Sequence, residues 1–597
     1  MEYSTNIYSY IKSEEQNFLL PVPIGDDLEW SMKEHIKTSF FYKNGKLLTG
    51  NSDDKPVKNI VLPIRNLQDR AEGFDVKDIV LFLNSKVKYF KSFLVRKFHD
   101  KWARENSIDT FIDDLVETEG DYGGVLVKNV NKVRPEVVPF QSIVFCDQTD
   151  ILSGPIGIKH FYSPDQLKEM EEFGWGNKEK GATATIDEVI VLSQNYKVQN
   201  DQSKQQTKTP GKYIEVYEVH GTFPETFLKE DGNIEKYSKQ LHIVCYYTDE
   251  NGKEQGITLF KGIEKESPFK FKKRTNYFGR ALGMGGVEEL FEPQVWVNYS
   301  MIRKKEMLDA ACKVILKTTD PAVSARHPSG LKDLDNLEII ELEEGKDIGQ
   351  LDTTPRSMTL FNNWTLELES YAQRTGGATD ALLGENPSSG TPFKLQDVVI
   401  QQGQGLHEYR KGKMATFVGE IYRDWIIPYI AKEISKGQEF LATLDMEELQ
   451  MVAESLVICR ANNFIKEKIL NGEMINETEL ESYKQRVRDE FMKGGNKKFI
   501  EIFKDEIKNI PIDVEVNIVG KQKNLNAMTD KLVNIFRQII ASPQVLDDPR
   551  MAKIWNQILE YSGFSPIDFN QSGYKAPQQT QQQIQGQSQN QEQLTTI

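Results

Sequence analysis

Residues 279–319, GRALGMGGVEELFEPQVWVNYSMIRKKEMLDAACKVILKTT, decide how the whole chain is interpreted. A glycine-rich turn leads into apolar positions at helical spacing, which predicts a helix over 286–317, about 48 Å long at 1.5 Å per residue. One side of that helix collects the apolar positions Leu290, Val297, Met301, Leu308, Cys312 and Ile315. The opposite side carries the basic residues Arg303, Lys313 and Lys317. We expect one face to pack against protein and the other to meet solvent or a polar ligand.

Pro293 interrupts this segment, and a proline beyond the first turn kinks a helix or moves its start, here to about residue 292. A small β-containing excursion is expected over 318–354, where short apolar runs lie among prolines and glycines. A second helix should then begin at Pro355, capped by Thr354, and end at Gly376 in the left-handed conformation. Its apolar stripe is Met358, Phe361, Trp364, Leu368 and Tyr371.

A loop dense in Gly, Ser and Pro follows over 376–392, and a third long helix is expected over 393–436. That helix carries Gly405, Gly412 and Gly419 at seven-residue spacing, which would allow bending or the close approach of another backbone. The remainder, 437–575, is mostly helical in pattern, with one strand expected over 511–519. The tail 576–597 is rich in glutamine, and we expect it to be disordered.

The sequence predicts a helix-rich α+β fold for the chain, with 1–285 as its N-terminal α+β part. Apolar residues at helical spacing predict helices between about 75 and 120. Short β-rich runs follow: GGVLVKNV, SIVFCD, EVIVLS, YIEVYEVHG and LHIVCYY. The polar stretch 197–211 is expected to be an exposed, mobile loop.

The charge and the cysteine content limit the classes of protein to which the chain can belong. A formal net charge of −15 over 597 residues argues against a large basic surface for tight nucleic-acid binding. The four cysteines form no CxxC pair, so we expect buried, reduced thiols and neither a disulfide framework nor a zinc site. With no signal sequence or membrane span, the chain is expected to be made and folded in the cytoplasm.

Motifs that carry chemistry are missing from the sequence. No phosphate-binding loop, dinucleotide-binding fingerprint, zinc-protease motif, nucleophile elbow or calcium loop is found. The seven histidines are scattered, and we interpret them as solvated or structurally satisfied side chains. We therefore expect no enzyme activity, no cofactor and no metal.

The order of elements resembles the portal proteins of tailed bacteriophages, closest in pattern to those of short-tailed phages. Two stretches carry the resemblance: 278–308, FGRALGMGGVEELFEPQVWVNYSMIRKKEML, with Gln294 and Asn298, and 371–414, YAQRTGGATDALLGENPSSGTPFKLQDVVIQQGQGLHEYRKGKM. The resemblance implies a portal fold with wing, stem, clip and crown regions, assembled into a ring, usually of twelve copies, around a central channel.

The implied regions follow the chain in order. They are the wing (1–285), stem helix 1 (286–317), the clip (318–354), stem helix 2 (355–375), the tunnel loop (376–392), the long wing helix (393–436), the helical crown (437–575) and the tail (576–597). The polar N-terminal arm and the 197–211 loop have no clear counterpart in the family.

The resemblance also implies roles for particular residues. The basic face of the stem, Arg303, Lys313 and Lys317, would line the DNA channel, with helix solvation or pairing to a neighbour's carboxylate as the alternative. The tunnel loop, which includes Ser388 and Ser389, would project into the bore, and Gly376, Gly377, Gly384 and Gly390 would make it flexible. An ordinary linker is the alternative there. In the clip, Arg326, His327 and Lys332 would contact the adaptor or motor.

The implied partners are those of a portal vertex in the virion. They are other copies of the chain, the terminase large subunit, head-completion and tail proteins, the major capsid and scaffolding proteins, and double-stranded viral DNA that slides loosely through the channel. No membrane partner is expected. Two other hypotheses about function stay open: the chain is another structural or scaffolding protein of the phage head, or it is a metal-dependent enzyme of phage DNA processing.

Overall fold

The described part of the chain in this computed structural model is a mixture of helix and sheet. It comprises residues 2–25, 28–45, 56–76, 79–83, 99–130, 134–192, 213–229, 232–248, 253–312, 316–319, 321–326, 342, 344–350, 358–378, 405–430, 457–458, 460–462, 464–470, 476–489 and 512–516. The chain divides into two compact units, the first made of Met1–Val76 and Trp102–Tyr429, the second of Lys77–Lys101 and Ile430–Ile597.

All the numbered helices belong to the first unit. In chain order they are α1 (Glu2–Asn17), α2 (Met32–Lys43), α3 (Val61–Glu72), α4 (Ile108–Tyr122), α5 (Pro164–Glu169), α6 (Gly286–Glu289), α7 (Phe291–Ala311), α8 (Pro321–Arg326), α9 (Met358–Thr375) and α10 (Gly405–Ile421). A π-helical turn at Tyr422–Ile426 follows α10 directly.

The strands are short except in one sheet. They are β1 (Val22–Pro23), β2 (Glu29–Trp30), β3 (Ile79–Leu83), β4 (Gly124–Lys128), β5 (Glu136–Val137), β6 (Ile143–Phe145), β7 (Ile156–Tyr162), β8 (Ile214–Pro224), β9 (Tyr237–Thr248), β10 (Glu254–Ile263), β11 (Phe269–Lys273), β12 (Leu316–Thr318), β13 (Ile348–Gln350) and β14 (Ile512–Val516). Only β3 and β14 lie in the second unit.

An antiparallel five-stranded sheet in the order β10-β9-β8-β7-β6 forms the body of the first unit. Helix α1 packs on this sheet and buries Ile7 and Ile11 in a core that includes Phe140 and Phe145. The Lys12 ammonium lies 5.4–5.6 Å from the ring centres of Tyr8, Tyr217 and Tyr246. These cation–π contacts and the buried apolar positions hold α1 on the sheet.

The β-rich region predicted after residue 122 is confirmed at four of its five runs, by β4, β6, β8 and β9. The fifth run, EVIVLS, was wrongly predicted as a strand, because residues 186–192 are helical. Thr185 and Glu188 explain the difference. The Thr185 hydroxyl accepts from the Glu188 amide at 3.3 Å, and the Glu188 carboxylate accepts from the Thr185 amide at 2.9 Å. This reciprocal capping starts a helix.

A three-stranded sheet in the order β11-β4-β5 lies beside α4 in the first unit. The turn after α4 needs glycine, since Gly123 has φ +81° and a Cβ there would lie 2.2 Å from the Gly283 carbonyl oxygen. The glycine-rich turn 279–286 therefore packs directly against the end of α4. This contact fixes the point from which α6 and α7 leave the body.

In the second unit, β3 pairs with β14 in antiparallel register, with Leu81 opposite Val514. The strand expected over 511–519 is confirmed. The helix expected at Ile79–Leu83 was wrong, since this run of five apolar residues pairs as a strand with a partner more than four hundred residues away. Residues 464–470 and 477–489 are helical, and Phe464 stacks on Tyr483 with 4.3 Å between ring centres.

Three cysteines in the described residues are free thiols. Cys245 is buried and Cys146 half-buried, whereas Cys312 is exposed, so the expectation of burial was wrong at the end of α7. Cys459, the 197–211 loop, the run LEIIELEE apart from Leu342 and Glu344, and the whole of 576–597 lie outside the described residues.

Candidate functional site

Helix α7 begins at Phe291, directly after the short helix α6, so Pro293 falls in its first turn. The predicted single helix over 286–317 is therefore broken at Leu290, as the proline suggested, and it ends at Ala311 rather than Lys317. Beyond it the chain turns into strand β12, which pairs with β13 through Lys317 and Gly349. β-Branched Thr318 favours that extended conformation.

Gln294 fastens the base of α7 to the chain before α3. Its amide oxygen accepts from the Ile60 amide at 2.8 Å, and its amide nitrogen donates to the Lys58 carbonyl and to the Asn298 side chain, each at 2.8 Å. Gln294 and Asn298 are both buried. All polar atoms of the Gln294 amide group are thus engaged, which makes the exit direction of α7 specific.

Helices α7 and α9 pack side by side and antiparallel. Near the base, Val297 shares a buried apolar cluster with Leu368 and Ala372. Farther along α7, Lys304 donates to the Thr365 hydroxyl at 3.0 Å. Contacts nearer the C-terminal end of α7 thus involve residues nearer the N-terminal end of α9. Beyond these ends, strand β12 follows α7 and pairs with β13, which precedes α9. Together these elements form a helical hairpin, which we call the α7–α9 hairpin (291–311 and 358–375).

Much of the hairpin is uncovered. No residue of α7 from Met301 to Ala311 is buried. On α9, Leu360, Trp364 and Leu366 are exposed to 71%, 49% and 63%. The expected apolar stripe on α9 is only partly correct, because Thr365 and Ala372 form the buried contact while Trp364 and Tyr371 point away from it.

Of the basic residues predicted to line a channel, Arg303 and Lys317 lie on different elements of the structure. Arg303 is on the exposed side of α7, where it donates to Glu306 at 2.8 Å and to the Tyr299 hydroxyl at 3.1 Å. Lys317 is exposed, but it lies on β12 and not on the helix. Lys313 lies outside the described residues. The interpretation of all three as one helical face was wrong, because the helix ends before Lys317.

The first two glycines of the predicted tunnel loop are fixed and do not form a flexible hinge. Gly376 is buried, and a Cβ there would lie 2.4 Å from Ile64. Its carbonyl accepts from Gln68 at 2.7 Å. The left-handed residue that ends α9 is Gly377, with φ +71°, and not Gly376 as expected. Gly384, Ser388, Ser389 and Gly390 lie outside the described residues.

The predicted clip is described only in part. Arg326 is the last residue of the short helix α8, while His327 and Lys332 lie outside the described residues. Of the predicted long helix 393–436, residues 405–430 are described and are helical. A Cβ on Gly405 or Gly412 would meet nothing within 4 Å. Among the residues that the structure describes, these two glycines therefore serve no close contact between helices.

The base of the hairpin rests on a buried polar junction that the sequence did not reveal. Arg65, Gln68 and Glu72 lie on one face of α3, at positions i, i+3 and i+7. Arg65 is fully buried (0% exposed) and donates to Asp121 at 3.1 Å, Gln68 at 2.6 Å and Asp69 at 2.6 Å. Burying a guanidinium requires such partners.

Glycines make room for the Arg65 side chain. A Cβ on Gly120 would lie 1.9 Å from Arg65 Nη2, and one on Gly286 would lie 3.0 Å from Arg65 Cδ. Gly120 is in α4 and Gly286 begins α6, so the guanidinium lies in a slot between these helices. The sequence contains one signal of this slot: polar residues follow Ile64 on the buried face of α3.

Glu72 is the centre of the other half of the junction. Its carboxylate accepts from Arg274 at 2.7 and 2.8 Å, from His407 at 3.1 Å and from Arg410 at 3.4 Å. Burial alone would raise the pKa of Glu72, but the His407 hydrogen bond and the charges of Arg274 and Arg410 outweigh it and lower that pKa to about 2. Glu72 therefore remains a carboxylate.

The junction thus connects α3, α10, the end of α9 and the chain directly after strand β11 within the first unit. His407, which the sequence suggested was a structurally satisfied histidine, is buried and hydrogen-bonded. Among the described residues, no group of three or more His, Cys, Asp and Glu side chains could hold a metal ion. In the same part of the chain, no helix is long and apolar enough to cross a membrane.

No protein-family model matches the chain, and no curated protein matches its sequence. Among solved structures, a chain of the "Virion of native gene transfer agent (GTA) particle" aligns at 11% identity with a TM-score of 0.28, covering 78% of this chain and 99% of that one. A likeness at this TM-score carries no argument about fold or function. The candidate site is therefore identified from the geometry of the chain alone. It consists of the α7–α9 hairpin and the buried junction at its base.

Proposed function

We propose that the chain is the portal subunit of a tailed bacteriophage, one copy of a ring through which the genome enters and leaves the head. The proposal rests on the α7–α9 hairpin, whose described distal part has no covering of its own. Large apolar side chains remain exposed along it, and burying a leucine is worth about 1.5–3 kcal/mol. A neighbouring copy would supply that burial.

The distribution of these side chains favours a ring over a pair. Trp364 and Leu366 are two positions apart on α9, so they point about 200° apart around the helix axis. One helix thus offers apolar contacts on two different flanks. A closed ring needs two unlike surfaces on each subunit, whereas a twofold dimer needs one surface that fits itself.

The charge pattern is compatible with DNA that slides. Each phosphate contact by a free Lys or Arg adds salt-dependent affinity. Arg303, one of the basic residues on α7, is engaged by Glu306 on its own helix, and the whole chain is acidic. In this proposal the hairpin is the stem, the β12–β13 ribbon and α8 begin the clip, and the rest of the first unit is wing.

The partners in this proposal are those of the portal vertex. The clip, with Arg326, His327 and Lys332, would meet the terminase large subunit and later the head-completion and tail proteins. The wing would face the capsid and scaffolding proteins. The energy for packaging would come from the separate motor protein, so the chain itself is proposed to have no catalytic centre and no cofactor.

A charge placed on the hairpin tests the proposal. Leu366→Glu should break or weaken rings, since it puts a carboxylate into a contact that must exclude water, while leucine and glutamate favour helix about equally. Ile234→Glu is the matched control: Ile234 is exposed to 69% in a turn away from the hairpin. Mass photometry of both variants should show lighter particles for Leu366→Glu alone. Equal particle masses for the two variants would show that the hairpin does not form the contact between copies.

A further inference from the structure

One residue, His407, links the chain segment before residues 379–404 to the segment after them. On the near side, the Gly377 carbonyl accepts from His407 Nε2 at 3.1 Å, and on the far side His407 itself belongs to α10. The same imidazole reaches α3 through Nδ1, which lies 3.1 Å from Glu72 Oε1. His407 therefore joins the end of α9, the start of α10 and α3 through a single ring.

Both partners of the His407 ring are acceptors. A backbone carbonyl has no hydrogen to donate, and Glu72 is a carboxylate whose pKa lies at about 2. A neutral imidazole carries one N–H, and a protonated imidazole carries two. The two hydrogen bonds can therefore exist together only while both ring nitrogens of His407 carry a proton.

The charged groups around the ring act in both directions. Glu72 on α3 favours the protonated ring, as does Glu289 on α6, which pairs with Arg410 at 2.8 Å. Arg274, which directly follows β11, and Arg410 on α10 oppose it, since both are bonded to the same carboxylate as His407. Glu119 on α4 lies close enough to Arg274 to raise its pKa further. The ring is almost completely buried, so water cannot replace a lost partner.

We infer that His407 is a positioning residue, a protonation-dependent clasp that fixes the Gly377 carbonyl to Glu72 and so sets where the chain leaves α9 and enters α10. When the ring gives up one proton, one of the two hydrogen bonds is lost and the link between these helices is released. The clasp is a property of the single chain, so it holds whether or not the chain forms a ring.

Amide hydrogen exchange of the full chain, read by mass spectrometry, tests the clasp. Peptides covering 372–378 and 405–410 are compared at about pH 5.5 and about pH 8.5, after correction for intrinsic rates. In the wild type, protection of these amides should fall at the higher pH. In His407→Gln, whose amide does not titrate, protection should be the same at both. An equal pH response in wild type and variant would overturn the inference.

A second measurement uses only the wild-type chain, so it tests the proposal even if His407→Gln does not fold. Exchange of the imidazole C2 hydrogen depends on ring protonation and can be followed for each histidine peptide. His242 is the internal reference, since burial and the nearby charges of Lys261 and His220 lower its pKa to about 3. The C2 exchange of His407 should change over the same pH range in which the protection of 372–378 is lost. A His407 ring that stays neutral throughout that range would contradict the clasp.

Discussion

The Glu72 carboxylate and the Arg274 guanidinium form a two-pronged ion pair, with N–O distances of 2.7 and 2.8 Å, and both side chains are buried. The pair joins α3 to the chain directly after strand β11 across more than two hundred residues of sequence. Because His407 and Arg410 share the same carboxylate, the pair also holds α10. The base of the α7–α9 hairpin is therefore fixed by charges that lie out of reach of solvent.

Removing Glu72 should destabilise the first unit strongly. Glu72→Ala leaves the buried Arg274 without its carboxylate, and breaking a buried pair in this way typically costs about 3–5 kcal/mol. Urea unfolding followed by tryptophan fluorescence reads this unit, since six of the seven tryptophans lie in it. Lys236→Ala is the control: it removes a largely exposed ion pair with Glu225 and should leave the unfolding free energy nearly unchanged. Equal effects would mean that the junction does not stabilise the fold.

Gly120→Ala should destabilise the protein although it is a substitution inside a helix. Alanine normally favours helix over glycine by roughly 1 kcal/mol, but at Gly120 the new Cβ would overlap Arg65 Nη2. Overpacking of this kind costs about 1–3 kcal/mol. Gly412→Ala in α10, where a Cβ meets nothing within 4 Å, should instead stabilise by roughly 0.5–1 kcal/mol. Urea midpoints measure both, and a stabilised Gly120→Ala would argue against the Arg65 slot.

His220 should make the stability of the five-stranded sheet depend on pH. Burial would lower the pKa of His220, but its hydrogen bonds to Glu218 and Glu264 raise that pKa above its usual value. A raised folded-state pKa adds stability that is fully present below the unfolded pKa and is lost as pH rises through the folded one. His220→Gln should therefore lower the thermal midpoint more at about pH 6 than at about pH 9.

His242 in the same sheet is the control for that measurement. Its pKa is lowered to about 3, chiefly by burial, so it is neutral at both pH values. Because the unfolded histidine takes up a proton below about pH 6.5, His242→Gln should lower the midpoint less at about pH 6 than at about pH 9, the opposite pH dependence to that of His220→Gln. A pH-independent effect of His220→Gln would show that the cluster of His220, Glu218 and Glu264 does not hold a protonated histidine.

Much of the fold could be predicted from periodicity, because burial on one face leaves a local pattern. Strands β8 and β9 and helix α4 follow directly from their apolar spacing. The pattern failed where local and distant effects compete. The run EVIVLS (188–193) looks like a strand, but Thr185 and Glu188 cap a helix over 186–192. Ile79–Leu83 looks helical, but it pairs with Ile512–Val516, a contact that no local window contains.

The site was less accessible to prediction than the fold. Gln294 and Asn298 were noted in the sequence, yet the bonds of Gln294 to the chain before α3 depend on the folded backbone. The Arg65 slot needs glycines from two other helices, and the Glu72 cluster collects residues from α3, α10 and the chain directly after β11. Such sites form from residues far apart in sequence, so spacing alone does not reveal them. Arg303, Lys313 and Lys317 were grouped on one helix only because the end of α7 at Ala311 was not foreseen.

The particle formed by the purified full-length chain tests the central claim most directly. Negative-stain images combined with mass photometry should show closed rings with a central hole, at a mass that is a multiple of 68.5 kDa well above the dimer. A sample that stays at 68.5 kDa at micromolar concentration, or that forms open filaments only, would contradict the account.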